Sequence, residues 1–229
     1  AANAYAAKRH YFMGESLVLH NPSPELSVAE NLLRMMRPDQ SYTSEEAHLL
    51  DLMLILHAEH SSNNSTFVCR AISSSGSDTY SAIAGAVGSL KGPLHGGANA
   101  KVMRMYRDIC ANIGHTPDDA ALSAYLDRIL DGDVGDHSGK IYGLGHAVYT
   151  VSDPRAIVIQ KYATDLAREK GCLADLELME RIEQMGIEKI TKRKGLTIPM
   201  CANVDFYSGF VYDMLGIPVE LYTPIFAIA

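Results

Sequence analysis

Four short stretches set a titratable side chain beside glycine, proline or a helix start, the settings in which such a group does chemistry. They are His57-Ala-Glu-His60, Gly92-Pro-Leu-His-Gly-Gly-Ala-Asn99, Gly143-Leu-Gly-His-Ala-Val-Tyr149 running on to Asp153-Pro-Arg155, and Asn203-Val-Asp-Phe-Tyr-Ser-Gly209. A histidine flanked by glycine lets backbone and ligand approach closely, because glycine has no Cβ and tolerates unusual φ/ψ. A helix start adds a second effect: its positive dipole end disfavours imidazolium, so His95 is expected to stay neutral and donate one N–H. Taken singly, His95 or His146 reads more readily as a satisfied structural histidine than as a functional one. His57 and His60 share a face if both are helical, which is a possible metal pair. The H-E-x-x-H pattern is absent, however, and no further Cys or His cluster supplies the remaining ligands, so no metal is expected. Gly143 and Gly145 begin a dinucleotide fingerprint with no strand before it, and no G-x-S-x-G elbow occurs.

The elements that must position these residues read as helices. Thr43-Ser-Glu-Glu46 is a capping box, and Ala47, Leu50, Leu54 and His57 follow at steps of three and four, which turns His57 inward. Ser77 is expected to cap a helix through Leu90 that Gly92-Pro93 breaks, and a helix from near Gly97 to Gly114 follows. Thr116-Pro-Asp-Asp119 opens a helix closing before Gly132, and Asp153-Pro154 opens one closing at Gly171. Further helices are expected over about 173–193 and 204–215. Thr223-Pro224 reads as a helix start that the remaining residues do not finish, and both chain ends look cut. The Gly- and Asp-rich stretch from Asp131 to Gly145 is the longest irregular piece, and it leads into His146. No alternating β pattern or repeat occurs, so the fold class is all-α.

Composition narrows the function. The 229 residues are 47% hydrophobic and 21% charged, ordinary globular usage, and 20 basic against 27 acidic residues give a net charge of −7. That balance argues against nucleic acid as a partner. No apolar run approaches the ~20 residues of a membrane span and no secretory signal opens the chain, so a cytoplasmic location with no membrane partner is expected. Cys69, Cys110, Cys172 and Cys201 lie far apart and read as reduced packing residues. Lys189, Lys192, Arg193 and Lys194 form the only basic run; it fits a solvated helix end or a phosphate-bearing ligand.

In order and spacing the four segments resemble the citrate synthase family over essentially the whole chain. G-P-L-H-G-G-A-N, G-L-G-H-A-V-Y with D-P-R-A behind it, and N-V-D-F-Y-S-G are similar to the family's catalytic segments, and Asn63-Asn-Ser-Thr66 and Ser73-Ser-Ser-Gly76 are similar to bacterial members. The resemblance implies a two-domain helical homodimer that condenses acetyl-CoA with oxaloacetate and holds no permanent cofactor. It implies that Asp205 is the base, His95 the donor to the thioester oxygen and His146 the group polarising the ketone. It further implies that His57 and Arg155 bind the oxo-acid, and that Tyr142, Gly143, Leu144 and Gly145 hold the coenzyme's adenine. The position four after His146, often basic in relatives, is Thr150, which leaves Lys192 and Lys194 as the candidates for the coenzyme's phosphates. Residues 1–96 with 217–229 are implied as a large domain and 97–216 as a smaller one that closes over substrate. The family's remaining substrate arginines fall after Ala229. Two rivals remain: 2-methylcitrate synthase, which uses propionyl-CoA, and an inert helical dimerisation module.

Overall fold

The computed structural model describes every residue except Ala147, which lies within the third segment. The described residues form eleven α-helices and no strand, so the expected all-α class holds. The chain divides into two compact units, one of Ala1–Gly96 with Leu215–Ala229 and the other of Gly97–Met214.

The first unit contains α1 (Ala2–Met13), α2 (Val28–Met36), α3 (Ser44–Ala58), α4 (Asn64–Ser73), α5 (Thr79–Leu90), a 3₁₀ turn (Val219–Leu221) and α11 (Tyr222–Ile228). Two capping boxes fix its helix starts, Ser27 with Glu30 and the expected Thr43 with Glu46. Glu46, 3% exposed, also takes an ion pair from Arg37 at 2.5 Å, and Arg37 donates on to the Leu215 carbonyl at 2.8 Å. This satisfies a buried charge on both sides and ties the chain's return to α3. Leu49, Leu50, Met53 and Leu54 form the buried face of α3. Helices α4 and α5 make a hairpin in which a Cβ on Gly85 would sit 2.3 Å from Ile72 Cδ1, so a larger residue there requires the Ile72 side chain to shift. Little of that hairpin is buried: α4 has no buried residue and α5 only Ala82.

Two expected starts differ here. Asp78, not Ser77, caps α5 through the Ser81 amide. Helix α11 begins at Tyr222, because Thr223 uses its hydroxyl to donate to the Gly96 carbonyl at 2.6 Å and does not cap.

The second unit packs α6 (Ala98–Ile113), α7 (Asp119–Asp131), α8 (Pro154–Glu169), α9 (Leu173–Lys194) and α10 (Val204–Met214). Its centre is α10, where Phe206, Tyr207, Phe210, Val211 and Tyr212 are all buried. Gly209 lets α10 cross α6: a Cβ there would meet Met103 Cγ at 2.7 Å and the Asn99 carbonyl oxygen at 2.9 Å. Arg181 pairs with Asp119, Lys189 with Asp127 and Arg193 with Asp131, at 2.6–2.7 Å. Each pair spans 62 residues, so α7 and α9 run parallel and in register.

All four cysteines are unbridged. No described helix is long and apolar enough to cross a membrane.

Candidate active site

In the second unit the site is built at the start of α8 and of α10. Asp153 is the N-cap of α8, accepting from the Arg155 amide at 3.0 Å, and the same carboxylate takes Arg155 Nε at 3.1 Å and NH2 at 2.8 Å. Burial, to 1% exposure, works to raise this carboxyl; the hydrogen bonds and charge of Arg155 outweigh it and hold Asp153 below the usual carboxylate range. Arg155 is thereby fixed with NH2 3.4 Å from His146 Nε2.

The His146 tautomer follows from its backbone neighbours. Nδ1 accepts from the Val148 amide at 2.9 Å and the Tyr149 amide at 3.1 Å, so in the neutral ring the proton sits on Nε2, and the donor-only Arg155 NH2 beside it is a neighbour and not a hydrogen-bond partner. That leaves an N–H at the ring's far edge, the form that polarises a carbonyl. The Tyr149 ring packs 4.8 Å away.

Asp205 occupies the first turn of α10. Burial lifts its carboxyl to about 6; the Arg155 charge opposes the rise and Asp153 adds to it. A carboxylate raised this far is a stronger base than a solvated one and is still ionised at neutral pH.

Asn203 joins the two halves of this constellation. Its amide N–H donates to the Gly143 carbonyl at 2.9 Å, its Nδ2 to the Gly145 carbonyl at 3.0 Å, and its Oδ1 accepts from the Asp205 amide at 3.0 Å. With Gly145 N–H on the Cys201 carbonyl at 2.7 Å and the Leu144–Ala202 bridge, the loop before His146 is laced to the approach of α10. Gly143 and Gly145 have φ of 81° and 91°, and a Cβ on Gly143 would strike Phe206 at 2.7 Å. Glycine is therefore required there by space and by backbone.

The Gly143 carbonyl and both backbone groups of Gly145 are already spent on 201–203. Tyr142 is held by its phenol, which donates to Asp136 and accepts from the Ser138 hydroxyl.

In the first unit, His95 lies in a turn closed by its amide on the Gly92 carbonyl at 2.9 Å. Nε2 accepts from the Ser65 amide at 3.2 Å and lies 3.0 Å from Ser65 Oγ, which leaves the ring proton on Nδ1. Burial depresses its basicity, so the ring is neutral at pH 7. The helix start that meets His95 is that of α4, in whose first turn Ser65 lies, a refinement of the expected one near Gly97. His57 has both ring nitrogens shielded from solvent and its ring 3.8 Å from that of Phe226. Helix α3 ends at Ala58 and Glu59 is extended, so His60 leaves the helical face and the His57/His60 pair loses its geometry. Among the described residues no group of three or more His, Cys, Asp or Glu converges as a metal site.

The basic run divides: Lys189 and Arg193 are spent on α7, while Lys192 and Lys194 stand exposed in the last turn of α9. Sequence reasoning quoted Ser65, Asp153 and Asn203 within its segments but gave none of the three a positioning role. Only Asp153 carries a local signal, the Asp-Pro helix start.

The family model described as "Citrate synthase, C-terminal domain" matches residues 1–229. The chain belongs to the citrate synthase family. Citrate synthase of Deinococcus radiodurans is 43% identical over 208 residues, covering 91% of this chain and 50% of that protein. A 2-methylcitrate synthase of Corynebacterium glutamicum is 37% identical, covering 94% of this chain and 52% of its own length. Among solved structures, citrate synthase from Thermoplasma acidophilum, in a ternary complex with carboxymethyl coenzyme A and oxaloacetate, matches with a TM-score of 0.71. It is 29% identical, and the match covers 99% of this chain and 55% of that one. The chain thus spans about half the length of the citrate synthases it matches.

Proposed function

We propose that this chain is the catalytic part of an acyltransferase that condenses acetyl-CoA with oxaloacetate, giving citrate and free CoA. The observation that carries the reading is Asp205, lifted to about 6 and tied through Asn203 to the loop of His146, whose Nε2 carries a proton. Asp205 takes a methyl proton from the acetyl thioester, and the His95 Nδ1–H stabilises the enolate oxygen that forms. The enolate carbon attacks the oxaloacetate ketone polarised by His146, making the new C–C bond, and water then cleaves the thioester to release CoA. General base and oxyanion donor supply about 10²–10⁴ and 10²–10³ in rate. His57 and Arg155 hold the oxo-acid, Arg155 offering a fork that matches a carboxylate.

Coenzyme A is a co-substrate in this reading, not a resident group. Tyr142, Gly143, Leu144 and Gly145 flank its adenine mainly by shape, and Lys192 and Lys194 meet its phosphates. Residues 1–96 with 217–229 belong to the large domain of the full-length protein and 97–216 form its small domain. The partner is a second copy of the chain: Phe67, Tyr80, Ile83 and Val87 leave an apolar face exposed on α4 and α5, in keeping with a homodimer interface. The relative named 2-methylcitrate synthase favours testing propionyl-CoA as well, since one methylene is worth only about 1–3 kcal/mol of selectivity.

The test is Asp205→Asn in the full-length protein that contains this chain. Turnover should fall by about 10²–10⁴ with oxaloacetate binding retained. Near-normal turnover would remove Asp205 from the role of base.

A further inference from the structure

Cys201 meets the loop that carries His146 on both sides of the histidine. Its carbonyl accepts from the amide of Gly145, the residue before it, at 2.7 Å. Its thiol donates to the Tyr149 carbonyl at 3.5 Å and accepts from the Asp153 amide, both after it. Each partner of the thiol is itself a support of the site: the Tyr149 amide holds His146 Nδ1, and the Asp153 carboxylate fixes Arg155. Cys201 is buried, and that burial, with the Asp153 and Glu183 charges, pushes its thiol up, so the sulfur keeps its proton at pH 7. Between the two anchor points Val148, Thr150, Val151 and Ser152 are exposed. Apolar packing therefore does little to hold this stretch, and its order depends on a few hydrogen bonds.

We propose that Cys201 is a positioning residue for the reaction: its thiol clamps Tyr149 to Asp153 and so sets His146 and Arg155 in the arrangement that receives the oxo-acid. The inference rests on the roles proposed above for those two residues. A loop released from the thiol samples arrangements in which the histidine and the arginine do not converge, and the oxo-acid must restore them on binding. Apparent affinity then falls by the fraction of competent molecules, while turnover at saturation is kept. A thiol that only filled space would give the opposite split, less folded enzyme at an unchanged KM.

The test uses the full-length protein and compares Cys201→Ala, which removes both bonds, with Cys201→Ser, whose hydroxyl donates and accepts in the thiol's place. Cys201→Ala should raise the KM for oxaloacetate by about three- to tenfold with kcat changed by about twofold at most, and Cys201→Ser should recover most of the loss. Hydrogen exchange read by mass spectrometry needs no substrate: in Cys201→Ala the amides of residues 148–153 should exchange about tenfold faster, while those of α7 and α9 keep their rates. If the alanine variant does not fold, Cys201→Val, which fills the space without the bonds, replaces it. Exchange unchanged at 148–153, exchange faster throughout the unit, an unchanged KM in an enzyme that turns over, or a serine variant as impaired as the alanine one would overturn the proposal. Wild-type protein that releases no CoA with oxaloacetate would contradict the proposed function instead, and exchange alone would then decide the clamp.

Discussion

Asp205→Asn should make this protein more stable at neutral pH even as it removes the proposed base. The carboxyl stands at about 6 against an ordinary value of 3.8, the net of burial and of the Arg155 and Asp153 charges. A raised carboxyl disfavours the ionised form in the folded state. The native protein is therefore unpenalised below about pH 4 and loses stability as pH rises through 6. At 1.36 kcal/mol per pH unit the ceiling is about 3 kcal/mol, reached by pH 8, with about 1.5 kcal/mol present at pH 5. Asparagine has the same shape and no charge, so it escapes the penalty. Urea unfolding of both proteins should show the variant more stable at pH 8, with a gap about half as large at pH 5. A variant less stable at pH 8, or a gap independent of pH, would refute the claim that Asp205 is held at an energetic cost.

Other substitutions test the supports. Arg155→Ala leaves the Asp153 carboxylate buried without its cation and should cost about 3–5 kcal/mol, read from the urea midpoint at pH 7. Gly209→Ala, forced against Met103 and the Asn99 carbonyl, should cost about 1–3 kcal/mol by the same assay. Asn203→Ala frees the Gly145 carbonyl and the Asp205 amide while keeping its own backbone bond to Gly143; in the full-length enzyme it should lower kcat more than it changes the KM for acetyl-CoA. Ser65→Ala keeps the amide that holds His95 and should change turnover little. Ser65→Pro, tolerated in a first helical turn, removes that donor and should lower turnover by tenfold or more.

The parts of the fold that could be read in advance are those with local causes. Thr43 and Glu46, Asp118 before α7, Asp153-Pro154 before α8 and the left-handed Gly132 each satisfy helix-end groups from within a few residues. Helix α1 has no side-chain cap and escaped notice, as did α4, whose apolar residues are left largely exposed. Ser65 was invisible because its contribution is a backbone N–H, which any residue but proline supplies. Asn203 acts through three bonds whose partners depend on how the 143–145 loop folds back. The sorting of the basic run was equally hidden, because Lys189 and Arg193 find their acids 62 residues upstream, a relation set by the parallel packing of α7 and α9.

The most direct test of the account is oxaloacetate-dependent release of CoA thiol by the full-length protein, followed with acetyl-CoA and, in parallel, propionyl-CoA. The account predicts release that requires oxaloacetate, runs faster with acetyl-CoA and yields citrate in equal amount. Thiol release indifferent to oxaloacetate, or none with either thioester, would contradict it.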